Sequence, residues 1–201
     1  MAIINYSETV ICNMALDELG EPPINGLTDT TKAGVLCNRW FALARDELLQ
    51  DYDWNFASAY ATLPQLSEEP PKDWVYVYSL PSDYLMIRDR DRYGDYAIQD
   101  GKKLYSNYFS TEFIIRYTRQ ITNYNNMRPK FIKALAMYIA YRIAYPLTGD
   151  RTLRGEMLQY HKDALRQAKH LDSIEGKQDD TPTKWADVGR TKRASIAIPA
   201  D

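Results

Sequence analysis

Tyr96-Ala97-Ile98-Gln99-Asp100-Gly101-Lys102-Lys103-Leu104-Tyr105 is the stretch that decides the fold class. Two apolar runs flank Asp100-Gly101, and an Asp-Gly pair in that setting supplies the left-handed turn that joins antiparallel strands. Period-two runs of aromatic and β-branched residues surround it: Trp74-Val75-Tyr76-Val77-Tyr78, Tyr84-Leu85-Met86-Ile87-Arg88 and Phe113-Ile114-Ile115-Arg116-Tyr117. Residues 57–63 read as one more strand. Residues 57–117 are therefore expected to form a small antiparallel sheet.

Outward from this insert the period changes to that of helices. Before it, Ser7 reads as an N-cap for a helix over 7–19, with Val10, Ile11, Met14, Ala15 and Leu19 on one face and Gly20 at its end. Pro22-Pro23 keeps the next stretch extended. A second helix over 31–50 places Val35, Leu36, Trp40, Leu43, Ala44 and Leu48 at helical spacing, and leaves Arg39, Arg45, Asp46 and Glu47 for exposed or intersubunit faces.

After the insert, Pro129 suits the first turn of a helix over 129–145, closed by Pro146. A fourth, amphipathic helix over 152–174 carries Leu153, Met157, Leu158, Leu165, Ala168 and Leu171. The expected fold is α+β: about four helices with a small antiparallel sheet inserted in the middle of the chain, all within one domain over 1–176. Residues 177–201 read as a polar tail that orders on a partner, with Trp185, Val188 and Arg190 as the candidate contacts.

Composition narrows the function classes. The formal net charge is −2 with both signs interleaved, so no broad cationic footprint for gripping nucleic acid stands out. Sixteen tyrosines and four tryptophans point toward surfaces that meet other proteins. Cys12 and Cys37 fall in apolar helical stretches, as small core residues do. The first residues lack a basic, apolar leader, and no run is long and apolar enough for a membrane span.

Chemistry is sparse. There is no phosphate-cradling glycine loop, nucleophile elbow or Cys-x-x-Cys pair, so no cofactor is expected. His161 and His170 fall on different faces of one helix, which disfavours a shared metal. Ser7 and Ser58 suit a cap and a strand better than a nucleophile. The one enzymatic alternative is a peptidoglycan hydrolase built on Glu47, Asp51 and Asp53 beside Trp54 and Phe56, since paired acids next to aromatics suit glycoside hydrolysis.

Ordered blocks then carry a resemblance. Ala15-Leu16-Asp17-Glu18-Leu19-Gly20-Glu21-Pro22-Pro23-Ile24, Arg45-Asp46-Glu47-Leu48-Leu49, Trp54-Asn55-Phe56-Ala57 and Tyr78-Ser79-Leu80-Pro81-Ser82-Asp83 come first. Ile115-Arg116-Tyr117, Phe131-Ile132-Lys133-Ala134-Leu135-Ala136 and Pro146-Leu147-Thr148-Gly149 follow. The chain resembles, from about residue 3 to 175, the tail tubular protein A or gatekeeper proteins, the head-to-tail adaptors of T7-like short-tailed bacteriophages. The resemblance implies a virion structural protein without catalytic residues. It implies a dodecameric ring under the portal protein, contact with the tail nozzle (tubular B) protein and with tail fibres, and DNA only as channel cargo. Within these blocks Trp54 and Phe56 are expected to close the junction between the second helix and the sheet. Pro81, with Asp83 beside it, is expected to end a strand.

Overall fold

The computed structural model describes residues 5–89, 95–108 and 113–175. The chain is α+β, with two helices before a β-rich insert and two after it. Helix α1 spans Glu8–Asp17, α2 Lys32–Asp51, α3 Pro129–Thr148 and α4 Arg151–Glu175. The strands are β1 Ser58–Leu63, β2 Tyr76–Ser79, β3 Tyr84–Ile87, β4 Tyr96–Gln99, β5 Lys103–Ser106 and β6 Phe113–Arg119.

Local chemistry sets the ends. The Ser7 hydroxyl accepts from the Val10 amide at 3.2 Å, and Gly20, at φ +69°, turns the chain so that the Glu21 amide reaches the Leu16 carbonyl at 3.0 Å. Helix α3 does not stop at Pro146 but runs through it to Thr148. A proline this close to a C-terminus removes only one late hydrogen bond, and Gly149, at φ +76°, closes the helix by donating to Tyr145.

The insert differs from a single sheet. Strands β1, β6 and β3 form one antiparallel sheet, and β2, β5 and β4 form another. Asp100 (φ +50°) and Gly101 (φ +79°) make the β4–β5 turn. Pro81 and the turn it opens separate β2 from β3, and an irregular register between Tyr84 and Met86 bends β3 onto β6. The chain thus divides its strands over two layers that share one apolar filling. Tyr78 and Leu104 come from one sheet, and Leu63, Ile87, Phe113, Ile115 and Tyr117 from the other. Tyr78 and Phe113 meet across this filling with ring centroids 4.5 Å apart.

The larger core is helical. Helix α3 is its axis, packed by α1, α2 and α4, with Phe131, Ile132, Leu135, Ile139 and Ile143 fully buried. Trp54, 1% exposed, belongs to this core and not to the sheet junction. Its ring stands edge-on to Phe131 at 5.0 Å, Phe56 packs beside both, and its indole N–H donates to the Leu48 carbonyl at 2.8 Å.

The junction between helices and sheets is made by Arg88, at the end of β3. Its guanidinium Nη2 lies 3.1, 3.0 and 2.7 Å from the carbonyl oxygens of Leu49, Gln50 and Tyr52, and its Nε donates to Thr118 Oγ1 at 2.7 Å. A cation at the C-terminal carbonyls of α2 satisfies acceptors that the helix itself leaves open. Strand β2 ends at Ser79, two residues before Pro81, and Asp83 accepts from the Tyr117 hydroxyl at 3.0 Å.

Candidate assembly surfaces

The acidic residues that suggested hydrolysis are each held by a cation. Glu47 accepts from the Tyr138 hydroxyl at 2.6 Å and from Arg142 at 3.0 Å. Asp53 pairs with Arg116 at 2.7 Å and Asp51 with Lys169 at 2.7 Å. Burial raises the Glu47 carboxyl, but the Tyr138 and Arg142 hydrogen bonds outweigh it and leave the group below its ordinary value. A glycosidase acid needs the opposite shift, so that it keeps a proton to donate.

The remaining titratable candidates are structural as well. His161 is buried, with Nδ1 3.1 Å from the Ala134 carbonyl and its ring on Tyr138. Ser7 caps α1 and Ser58 lies on β1. Cys12 and Cys37 are both buried and free, and the Cys12 thiol is pushed up by its hydrogen bond to Cys37 and by desolvation. Among the described residues no group of three or more His, Cys, Asp or Glu side chains could hold a metal ion. No helix among them is long and apolar enough to cross a membrane.

Arg45 does not serve an exposed face. It is 6% exposed and donates to Asp46 at 2.8 Å and to the Tyr124 hydroxyl at 3.3 Å. Tyr124 in turn donates to Glu8 at 2.6 Å, and Gln120 donates to Asp46 at 2.8 Å. Burial and the Glu8 hydrogen bond push the Tyr124 hydroxyl up to about 12. The Arg45-Asp46-Glu47 block is therefore a set of ties joining α2 to α1, α3 and the segment after β6. A buried network with its partners in place fixes one arrangement of the elements around it.

What the helices leave outside is more informative. Val35 and Leu43 on α2 are each 47% exposed although their spacing reads as core. They share a face with Arg39 and Ala42, also exposed, on the side of α2 away from Leu36, Phe41, Ala44 and Leu48. Val10 on α1 and Leu171 on α4 likewise lie outside the core that their spacing suggested. Helix α2 thus carries a buried apolar face and a second, shorter apolar stripe that stands exposed among the described residues.

A different surface lies where α3 ends and α4 begins. Arg154 lies over the Tyr141 ring at 5.0 Å and donates to its hydroxyl at 3.2 Å, and Arg151 lies over Tyr145 at 5.5 Å. These four side chains and Leu158 line an open groove of about 470 Å³. Among the described residues no carboxylate pairs with Arg151 or Arg154, so both guanidinium forks are held by aromatic faces with donors to spare. Further along α3, Arg142 stacks between Trp40 and Tyr138 at 4.8 and 5.0 Å.

Trp185, Val188 and Arg190 lie outside the described residues. Of the residues that organise the structure, sequence reasoning misses Arg88, Arg142 and Asp172. Asp172 had a signal: it continues the spacing Met157, His161, Ala164, Ala168, the face of α4 that is buried. Comparison with protein-family models finds no match, and comparison with curated proteins finds no relative.

Proposed function

We propose that this chain is a virion structural protein, a head-to-tail connector whose copies form a ring between the portal and the tail nozzle of a short-tailed bacteriophage. The observation that carries the reading is the pair of unlike surfaces on one subunit. One is the apolar stripe of Val35, Ala42 and Leu43 on α2, and the other is the tyrosine–arginine groove at the α3–α4 turn. A closed ring requires a heterologous contact, in which two different patches of identical subunits meet. Tyrosine and arginine are the residue types enriched where such contacts carry energy.

The ordered blocks support the same reading in a second way. Arg45-Asp46-Glu47-Leu48-Leu49 and Trp54-Asn55-Phe56-Ala57 bind the elements of the subunit together through Tyr124, Gln120, Arg142, Arg88, Phe131 and Asp172. A connector depends on such a rigid frame and not on a reactive group. In this reading the ring is dodecameric, extends the channel, and passes DNA without holding it. The net charge of −2 suits a channel that does not grip phosphates.

Co-sedimentation with the portal ring tests the proposal. The unaltered chain should travel with the portal, and Leu43→Glu should remain in the supernatant while keeping its circular dichroism spectrum. Equal recovery of both chains in the supernatant would overturn it.

A further inference from the structure

Helix α1 presents an outward face of mixed character. Its buried side chains are Ile11, Cys12, Ala15 and Leu16, and at about 100° per residue Val10 and Asp17 point the other way. Val10 is 36% exposed, Met14 between them is half-buried, and Asp17 and Glu18 are exposed. From Glu8 to Glu21 the sequence holds four carboxylates and no lysine or arginine. The Glu8 carboxylate is taken by the Tyr124 hydroxyl. Among the described residues no ion pair reaches Asp17 or Glu18.

Two helix ends carry charge of the sign that the helix dipole disfavours. Asp17 ends α1 with no basic residue in the last turn, and Arg151 and Arg154 open α4 with no acidic residue in the first. Asp150, ahead of α4, commits its carboxylate to the Thr152 and Leu153 amides at 2.7 and 3.1 Å. The groove that the two arginines share with Tyr141, Tyr145 and Leu158 has no carboxylate in its lining. Gly155 lines it as well, and a Cβ there would meet nothing within 4 Å. Glycine inside a helix is disfavoured, and neither a positive φ nor a close neighbour in the subunit calls for it here. Its bare backbone lets a second helix come close. One subunit does not bring these ends together. The buried residues Met157, His161, Ala164 and Ala168 divide Arg151, Arg154 and Leu158 on one flank of α4 from Tyr160, Asp163 and Gln167 on the other. The end of α1 belongs to the second flank, where Glu18 lines a groove with Tyr160, Asp163, Gln167 and Lys133 and makes no ion pair with Lys133.

We propose that the outward face of α1 in one copy enters the tyrosine–arginine groove of the next, with Asp17 on Arg151 and Arg154 and with Val10 and Met14 over Leu158 and Gly155. Val10, Met14 and Asp17 fall at the spacing by which one helix face anchors in a groove. Unlike patches on opposite flanks of α4 are what a head-to-tail contact between copies uses. The guanidinium groups already lie on the Tyr141 and Tyr145 rings, so what they offer is N–H edges, which a carboxylate accepts in pairs. A nucleic-acid base would instead need those ring faces free. The inference deepens the connector reading by naming what one of its surfaces receives, and it rests on that reading.

The test follows the sedimentation velocity of the full chain against concentration at low ionic strength, with portal binding measured separately by co-sedimentation. The unaltered chain should associate as its concentration rises and dissociate in high salt. Asp17→Arg and Arg154→Glu should each stay monomeric, and the chain carrying both substitutions should associate again. Gly155→Leu should keep its circular dichroism spectrum, since the position is open in the free subunit, yet stay monomeric because the groove is filled. Association that survives Arg154→Glu would overturn the proposal, as would a double variant that stays monomeric or an unaltered chain monomeric at every concentration. Rescue by the double variant without portal binding would support this contact and count against the connector reading alone.

Discussion

Asn55 and Asp172 are 117 residues apart in sequence and joined by both of their polar ends. The Asn55 backbone amide donates to the two carboxylate oxygens of Asp172 at 3.2 and 3.1 Å, and its side-chain amide donates to the Asp172 carbonyl at 2.6 Å and to a carboxylate oxygen at 3.0 Å. Asp172 is 3% exposed, and burial raises its carboxyl above the ordinary value against the pull of those donors. The pair fixes the end of α4 to the turn that leads from α2 into the sheets. Asn55→Ala removes the side-chain donor beside a buried carboxylate, which should cost about 1–3 kcal/mol. Thermal melts should show a clear drop for Asn55→Ala, and an unchanged midpoint would contradict the assignment.

Arg88→Ala should separate helices from sheets more readily than any other single polar change at that junction. It strips a cation from the carbonyls of Leu49, Gln50 and Tyr52 and leaves Asp53 with Arg116 alone. Hydrogen bonds to a charged group contribute about 1.5–3 kcal/mol each, without simple additivity. Urea unfolding should report a loss of at least about 2 kcal/mol, and Arg88→Lys should not restore it, because a point ammonium cannot span the same set of oxygens.

Trp54→Ala should be the most damaging of these changes. It opens a cavity against Phe131 and Phe56 and leaves the Leu48 carbonyl without its indole donor. The expected cost is about 3–5 kcal/mol, read as a shift in the urea midpoint. Trp54→Phe keeps most of the packing and should cost distinctly less.

These three sites show what was legible in the sequence. The helices, the β-rich insert and the Asp100-Gly101 turn follow from period and turn chemistry, which are local. The division into two sheets was not legible, because it depends on how β2 and β3 part after Pro81 and which strand each then finds. Val35, Leu43 and Leu171 keep core spacing yet stand exposed, because spacing alone does not say which of two apolar faces a subunit covers. Arg45 reads as surface for the converse reason: its partner Tyr124 lies 79 residues away. The Trp54 and Phe56 block was recognisable, but its packing on α3 rather than on the sheet is a tertiary fact.

His161 gives the fold a predictable pH dependence. Burial lowers its pKa, while the Ala134 hydrogen bond opposes that effect only in part. The folded state therefore binds this proton less readily than the unfolded chain. Its contribution to stability is present above the unfolded value of about 6.5 and is lost as pH falls through the lower folded value. Melting temperature should decline as pH falls from about 6.5 to 5, and His161→Gln should flatten that decline. Parallel profiles for the two proteins would remove His161 as the cause.

Glu47→Gln separates a structural from a catalytic carboxylate. Neutralising it leaves Arg142 and Tyr138 without their anion and should lower thermal stability by about 1 kcal/mol, the modest value expected for a half-exposed pair. Clearing of purified peptidoglycan should stand at background for both the unaltered chain and the variant. Clearing by the unaltered chain that the variant loses would restore the hydrolase alternative.

The connector reading is tested most directly by mixing the purified chain with the portal ring of its own phage and imaging the product by negative-stain electron microscopy. The expected image is a second ring stacked on one end of the portal, absent when Leu43→Glu replaces the unaltered chain. Bare portals beside dispersed subunits at saturating concentration would contradict it.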